Sequence, residues 1–386
     1  ETGDRILRNA IDGDVALFNR QPTLTISNIS AHTVIVLRDP HSYPIRMNVI
    51  CTPLYNADFD GDAMNIVFLA NESARVELRY LSMLNNWFML YTTSGPAMGQ
   101  VEDGVLGLAE ITRDRTRFNR LHAMRVFSHV RSLPDFDKDE YSGRELISLA
   151  LARTPVNISR TAKFYDKTKS AYVDYKPSET QVNIENGKLV SGVLDKSTIG
   201  KGAAGGLYHV LANEYNAEIA LNCMHDMQSM VIRYLEQRGY SVGILDVLPS
   251  RGAQAKIHAA TSETLARARV LADNYVAGKI VASFGETQES MFEEQMKEAL
   301  KPGDSMIDTI MRDIDPYTNG LYGMISTGSK GTPQQLYNMS GTIGQKLIDG
   351  RRTASKFGVA RTSPYSRRFS TDPIDGGYIA NSLVIG

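Results

Sequence analysis

The chain has 386 residues, 42% hydrophobic and 22% charged, with Lys+Arg of 42 against Asp+Glu of 43 for a net charge of -1. That size and composition suit a globular protein of two or three domains, and the balanced charge excludes a general basic surface, so contact with nucleic acid must be local or shared with partners. Only Cys51 and Cys223 are present, and neither a run of about eighteen apolar residues nor a basic-then-apolar leader occurs, which argues against a disulfide framework, a zinc site and membrane insertion and makes a reducing compartment the default.

In chain order, residues 14–69 read as a small β-dominated module. β-rich runs at 33–37 and 47–50 are separated by turns at Asp39-Pro40 and Tyr43-Pro44. The module holds the most informative stretch of the chain, Asn56-Ala57-Asp58-Phe59-Asp60-Gly61-Asp62. Carboxylates at every second position share one face of an extended segment, and Gly61 lets the backbone curl so that their oxygens meet on one hard cation. Mg2+, with its compact oxygen shell and positions left for water or phosphate, suits Asp58, Asp60 and Asp62. An EF-hand starting at Asp58 would need glycine sixth and glutamate twelfth, where Ala63 and Leu69 stand. A sugar-nucleotide transferase using an Asp-x-Asp pair, and an acidic turn facing solvent, both stay open. The apolar flanks 50–55 and 64–69 read as buried strands, and three carboxylates in such a setting call for a compensating cation.

Residues 71–84 turn helical, with Asn71 as N-cap, Glu72 in the first turn, and Ala74, Leu78 and Leu81 on one face. A loop at 92–96 follows. The charged, weakly periodic stretch at about 135–185 reads as a surface insertion with short strands. Between Gly205 and Arg238 runs a long helical pattern that Gly239 stops, and Met224, Met227 and Met230 are core filler on it. Two further helices are expected at 262–271 and 286–300. The segment Ser326-Thr327-Gly328-Ser329-Lys330-Gly331 lacks the spacing of a phosphate loop, and a helix starting near Pro333 describes it better. Lys346, Arg351, Arg352, Lys356, Arg361, Arg367 and Arg368 then form a basic-dense stretch, either a solvated face or a contact for polyphosphate or nucleic-acid backbone.

The segments 12–24, containing Phe18-Asn19-Arg20-Gln21-Pro22-Thr23-Leu24, and 55–62 closely resemble the active-site region of the largest subunit of multisubunit DNA-directed RNA polymerases. Downstream, Met98-Gly99-Gln100-Val101-Glu102-Asp103 is similar to the loop lining the pore. The segments 201–210 and 239–243 resemble the passage from pore to funnel, and Gly328-Ser329-Lys330-Gly331, Gly344-Gln345 and Gly350-Arg351-Arg352 resemble funnel sequences. Gly376-Gly377-Tyr378-Ile379-Ala380-Asn381-Ser382 looks like the lead-in to the bridge helix. Departures occur at Ala63, where the family has glutamate, at Thr25-Ile26-Ser27-Asn28, where it has a His-Lys-Met-type run, and at Lys346, where a second glutamine is usual. Such drift around intact aspartates points to a viral polymerase of the large cytoplasmic DNA-virus kind.

The resemblance implies an α+β chain: a β-rich double-psi-barrel-type active-site module at 1–70, a mixed pore domain at 71–204, a mainly α-helical funnel domain at 205–345, and a basic return segment at 346–386 leading to the bridge helix. It implies that Asp58, Asp60 and Asp62 hold the catalytic Mg2+, which activates the RNA 3'-hydroxyl and, with a second ion carried by the nucleotide, stabilises in-line attack on the α-phosphate. Arg20 and Asn56 would read the sugar hydroxyls, Pro22 would fix the turn presenting Arg20, and Lys330, Arg351 and Arg352 would line the entry route of nucleoside triphosphates. Lys330 also reads simply as a turn lysine facing solvent. Expected partners are the second-largest subunit and other polymerase subunits, with DNA template, RNA product and NTPs. The setting would be intracellular: virion and host cytoplasm if viral, nucleus if cellular. Starting at Glu1 and ending at Gly386 where the bridge helix would begin, the chain reads as a fragment or processed product that should not polymerise alone. A polymerase-like scaffold serving assembly only remains the non-enzymatic alternative.

Overall fold

A computed structural model of the chain describes residues 8–162, 176–282, 284–301, 304–315, 317–353 and 361–385. These fall into two compact units, one built from residues up to Gly239 together with Thr327–Ser329, the other from Tyr240–Ser326 and from Lys330 onward. Helices and small separate sheets coexist in the chain, as an α+β composition requires.

The first unit opens with an antiparallel sheet of order β2-β1-β3, formed by β1 (Val15–Arg20), β2 (Ile29–Thr33) and β3 (Met64–Phe68). β1 is central and buries Val15, Ala16 and Phe18. The expected strand at 33–37 begins earlier and ends at Thr33. Beyond it, the Val36 N–H donates to the Asp12 carboxylate (2.7 Å) in place of a ladder bond. At 47–50 no strand forms. A 3-10 turn, Val49–Cys51, runs into the short helix α1 (Thr52–Tyr55), whose first turn accepts Pro53 because the missing N–H has no role there. The flank before the acids is therefore buried as expected, but helical rather than extended.

Asn71 caps α2 (Glu72–Glu77) by accepting the Ser73 N–H at 2.9 Å. A π turn, Leu78–Ser82, follows, and its extra residue per turn breaks the helical phase, leaving Leu78 buried but Leu81 65% exposed. The main core lies between the helices Asp103–Thr112 and Ala217–Arg238. Gly107 permits their close approach, since a Cβ there would stand 2.3 Å from Val231 Cγ1. Met224, Met227 and Met230 are fully buried on the long helix, which Gly239 ends at φ +70°.

Part of the stretch 135–185 is built into the core, although residues 137–140 are exposed. Tyr141, Leu146, Ile147, Leu151, Ile158, Val182 and Ile184 all enter the main core, carried by the helix Gly143–Leu151 and by the three-stranded sheet of Ile158–Thr161, Gln181–Glu185 and Lys188–Ser191. Alternation in Gln181–Glu185 and one apolar helix face account for the burial; the surrounding charges mask that pattern in the sequence.

In the second unit the helix Arg251–Val276 far exceeds the expected 262–271, and it packs against Gln288–Ala299 through Leu265, Ala268, Ala272, Phe292 and Met296, with Tyr275 stacked on Phe292 at 4.2 Å. Pro333–Ser340 begins where expected, closed by a reciprocal capping box of Thr332 and Gln335. The helices Leu207–Glu214 and Ala217–Arg238 belong to the first unit. No helix among the described residues is long and apolar enough to cross a membrane.

Candidate metal and nucleotide site

The acidic loop is suspended between two anchored ends. At its start, Asn56 caps α1 in the left-handed region (φ 51°, ψ 39°), a conformation asparagine tolerates, and turns the chain out of the core. Tyr55, just before it, is fully buried, and its hydroxyl meets both Ser30 Oγ and His32 Nε2 on β2. Phe18 of β1 packs edge-on against the Tyr55 and His32 rings at 5.4 and 5.5 Å. Burial among these groups raises the Tyr55 hydroxyl well beyond its usual range and lowers the His32 imidazole.

At its end, the loop enters β3. Arg20 pairs with Met64 in the β1–β3 register, so the last residue of β1 lies beside the acids that precede β3. From there Arg20 grips Asp62 in a fork, Nε to Oδ2 at 2.7 Å and Nη2 to Oδ1 at 3.1 Å, while the Asp58 N–H donates to the same Oδ2 at 3.1 Å and curls the loop. Gly61 sits at φ +122°, a region open to glycine and strained for other residues. Pro22 lies two residues past Arg20, the end of β1, with a cis Gln21–Pro22 peptide bond, and Asn56 is exposed at the loop entrance.

Asp58, Asp60 and Asp62 each offer an oxygen within 4.8 Å of the others. All three residues are exposed, contrary to the expectation of carboxylates inside a core: Asn56 directs the loop outward, and β3 lies at the sheet edge with Ile66, Val67 and Phe68 39 to 48% exposed. A hydrogen bond with Asp60 above all, then burial and the charges of Asp60 and Asp62, raise Asp58, whereas the Arg20 fork chiefly holds Asp62 below the usual carboxylate range. Three hard carboxylate oxygens converging on one exposed point form a donor set that fits a divalent cation.

Lys330, Arg351 and Arg352 belong to the second unit. Lys330 is exposed in the turn between Gly328 and Gly331, and Arg351 is exposed beside a bridge to Ile348. Arg352 is different. Its side chain is only 7% exposed, pairs with Glu293 at 3.2 Å, and fills the space over Gly376, where a Cβ would meet Nη2 at 1.8 Å. That placement makes it a packing residue as well as a charge. Lys356 lies outside the described residues.

Sequence reasoning missed Ser30, His32 and Tyr55 as supports of the loop. The available signal was the spacing of Ser30 and His32, two apart on one strand face, together with a tyrosine abutting the acidic segment.

Comparison with known proteins gives three consecutive family matches: RNA polymerase Rpb1 domain 2 over residues 1–84, domain 3 over 89–247 and domain 4 over 272–379. Across its whole length the chain is 34% identical to a DNA-directed RNA polymerase RPB1 homolog of African swine fever virus and 30% identical to the DNA-directed RNA polymerase III subunit rpc1 of Dictyostelium discoideum. It spans 27% of the length of each of these relatives.

Proposed function

Since the chain belongs to the Rpb1 family, the largest subunits of DNA-directed RNA polymerases, we propose that it is the catalytic part of such a subunit, making RNA on a DNA template by nucleotidyl transfer from NTPs. The observation that carries this reading is the convergence of the Asp58, Asp60 and Asp62 oxygens within 4.8 Å on an open loop. These residues would hold Mg2+, which supplies charge stabilisation to attack of the RNA 3'-hydroxyl on the nucleotide α-phosphate. Arg20 and Asn56, on either side of the loop, have the donors to orient a ribose through its hydroxyls. The buried Tyr55 contact and the β1–β3 register keep the two ends of the loop at fixed separation, and its open face admits substrate.

In this reading the β2-β1-β3 sheet is part of a double-psi-barrel-type module, residues 71–204 border a pore and 205–345 a funnel. Lys330 and Arg351 would be point charges along the nucleotide route, with Arg352 chiefly shaping that segment. The second-largest subunit and other polymerase subunits complete the enzyme. With a viral protein among the relatives, the expected setting is host cytoplasm and virion; a cellular chain would work in the nucleus. Family membership removes the sugar-nucleotide transferase alternative.

Anomalous scattering from Mn2+ in crystals of the assembled polymerase with RNA bound tests the ligand assignment. A peak beside the three carboxylates is expected; a peak held by other residues, with none there, would overturn it.

A further inference from the structure

The acidic loop carries its own cation. Asp62 spends both carboxylate oxygens on Arg20, and Oδ2 also accepts the Asp58 N–H, so the third oxygen donor of the cluster is already engaged. We propose that Arg20 is a resident counter-ion of the metal site, holding Asp62 until a divalent cation displaces it, so that cation entry releases the guanidinium to face the substrate.

This inference rests on the metal reading above and concerns what Arg20 does before substrate arrives. The pairing is built into the fold rather than an accident of a long side chain. Arg20 stands at the end of β1 opposite Met64, two residues past Asp62, and its side chain is only 19% exposed in the fork. A guanidinium is a planar double donor that matches a carboxylate edge, and a small divalent ion needs that same edge. The two cations repel, so they cannot share Asp62 without cost. Asp58 and Asp60, which interact with each other, remain the open entry side. By linkage, the factor by which a ribose that draws Arg20 away tightens the metal equals the factor by which the bound metal tightens that ribose. A nucleotide that engages Arg20 therefore tightens the metal, and the Arg20 fork offsets one of the cluster's negative charges before the cation arrives.

The test is a Mn2+ titration followed by electron paramagnetic resonance on the assembled polymerase without nucleotide, comparing wild type with Arg20→Gln, Arg20→Lys and Asp60→Asn. Arg20→Gln should bind the site ion about tenfold tighter, the scale of one unit charge removed from a few ångströms away at an exposed site. Arg20→Lys, which keeps the charge and loses the fork, should fall between the two. Equal or weaker binding in Arg20→Gln would overturn the counter-ion proposal. If Asp60→Asn binds Mn2+ as wild type does, the metal reading itself fails, and the two failures are thereby distinguished. In Mn2+-loaded crystals the fork should be open; an intact fork with the ion on all three aspartates also overturns the proposal.

Discussion

Two arginine-carboxylate pairs of the first unit share a contact distance and differ in everything else. Arg20 Nε meets Asp62 at 2.7 Å, and Arg113 Nε meets Glu110 at 2.7 Å, yet the side chains are 19% and 21% exposed in the first pair and 2% and 4% in the second. The buried Glu110 also draws Arg115 at 3.4 Å and Arg238 at 3.6 Å, tying the end of the helix Asp103–Thr112 to the end of Ala217–Arg238. In the core no solvent or ion can replace either partner, so the pair is structural and permanent. At the rim of the acidic loop, water and a metal ion both can, so the pair is exchangeable. Distance alone does not distinguish an interaction that holds a fold from one that a ligand can take over; access does.

The comparison can be broken most forcefully at Glu110. Glu110→Ala breaks the buried pair with Arg113 and should cost about 3–5 kcal/mol in denaturant unfolding, with Glu110→Gln costing less because it still accepts hydrogen bonds. A loss as small as that expected at a surface pair would erase the distinction.

A third pair, Lys138 with Glu145 at 2.6 Å, sharpens it from the other side, being exposed yet structural. Glu145 also accepts from the Ser142 N–H at 2.7 Å and hydroxyl at 2.9 Å, closing the capping box of the helix Gly143–Leu151. Lys138 first, then that N–H, hold its carboxyl down to about 2. A depressed carboxylate contributes stability above its unfolded pKa of about 4.3 and loses it as pH falls through the folded value. Glu145→Gln should therefore cost about 0.5 kcal/mol at pH 7, and the difference from wild type should close between pH 5 and 2 in unfolding measurements across that range. A gap constant with pH would remove the charge from the explanation.

Much of the candidate site was legible because its chemistry is local. The alternating aspartates and Gly61 lie within five residues, and the Asn71 cap, the helix start near Pro333 and the stop at Gly239 depend on one or two residues each. The run Ile50-Cys51-Thr52-Pro53-Leu54-Tyr55 reads as a strand in the sequence since a short, mostly apolar run carries no period that separates strand from buried helix; Pro53 and the left-handed Asn56 decide it. The exposure of the acids was missed because apolar residues such as Ile66 and Val67 suggest burial, whereas an edge strand leaves them open. The Arg20–Asp62 fork spans 42 positions and the Glu110–Arg238 contact spans 128, and such pairings follow from register and helix packing that no local pattern encodes.

The proposal that the three aspartates hold the metal for nucleotidyl transfer is tested most directly by template-directed RNA synthesis with the assembled polymerase carrying Asp60→Ala. Loss of RNA synthesis with subunit assembly and DNA binding intact is the predicted result. Elongation retained at the wild-type rate would contradict it and leave the chain a polymerase-like scaffold.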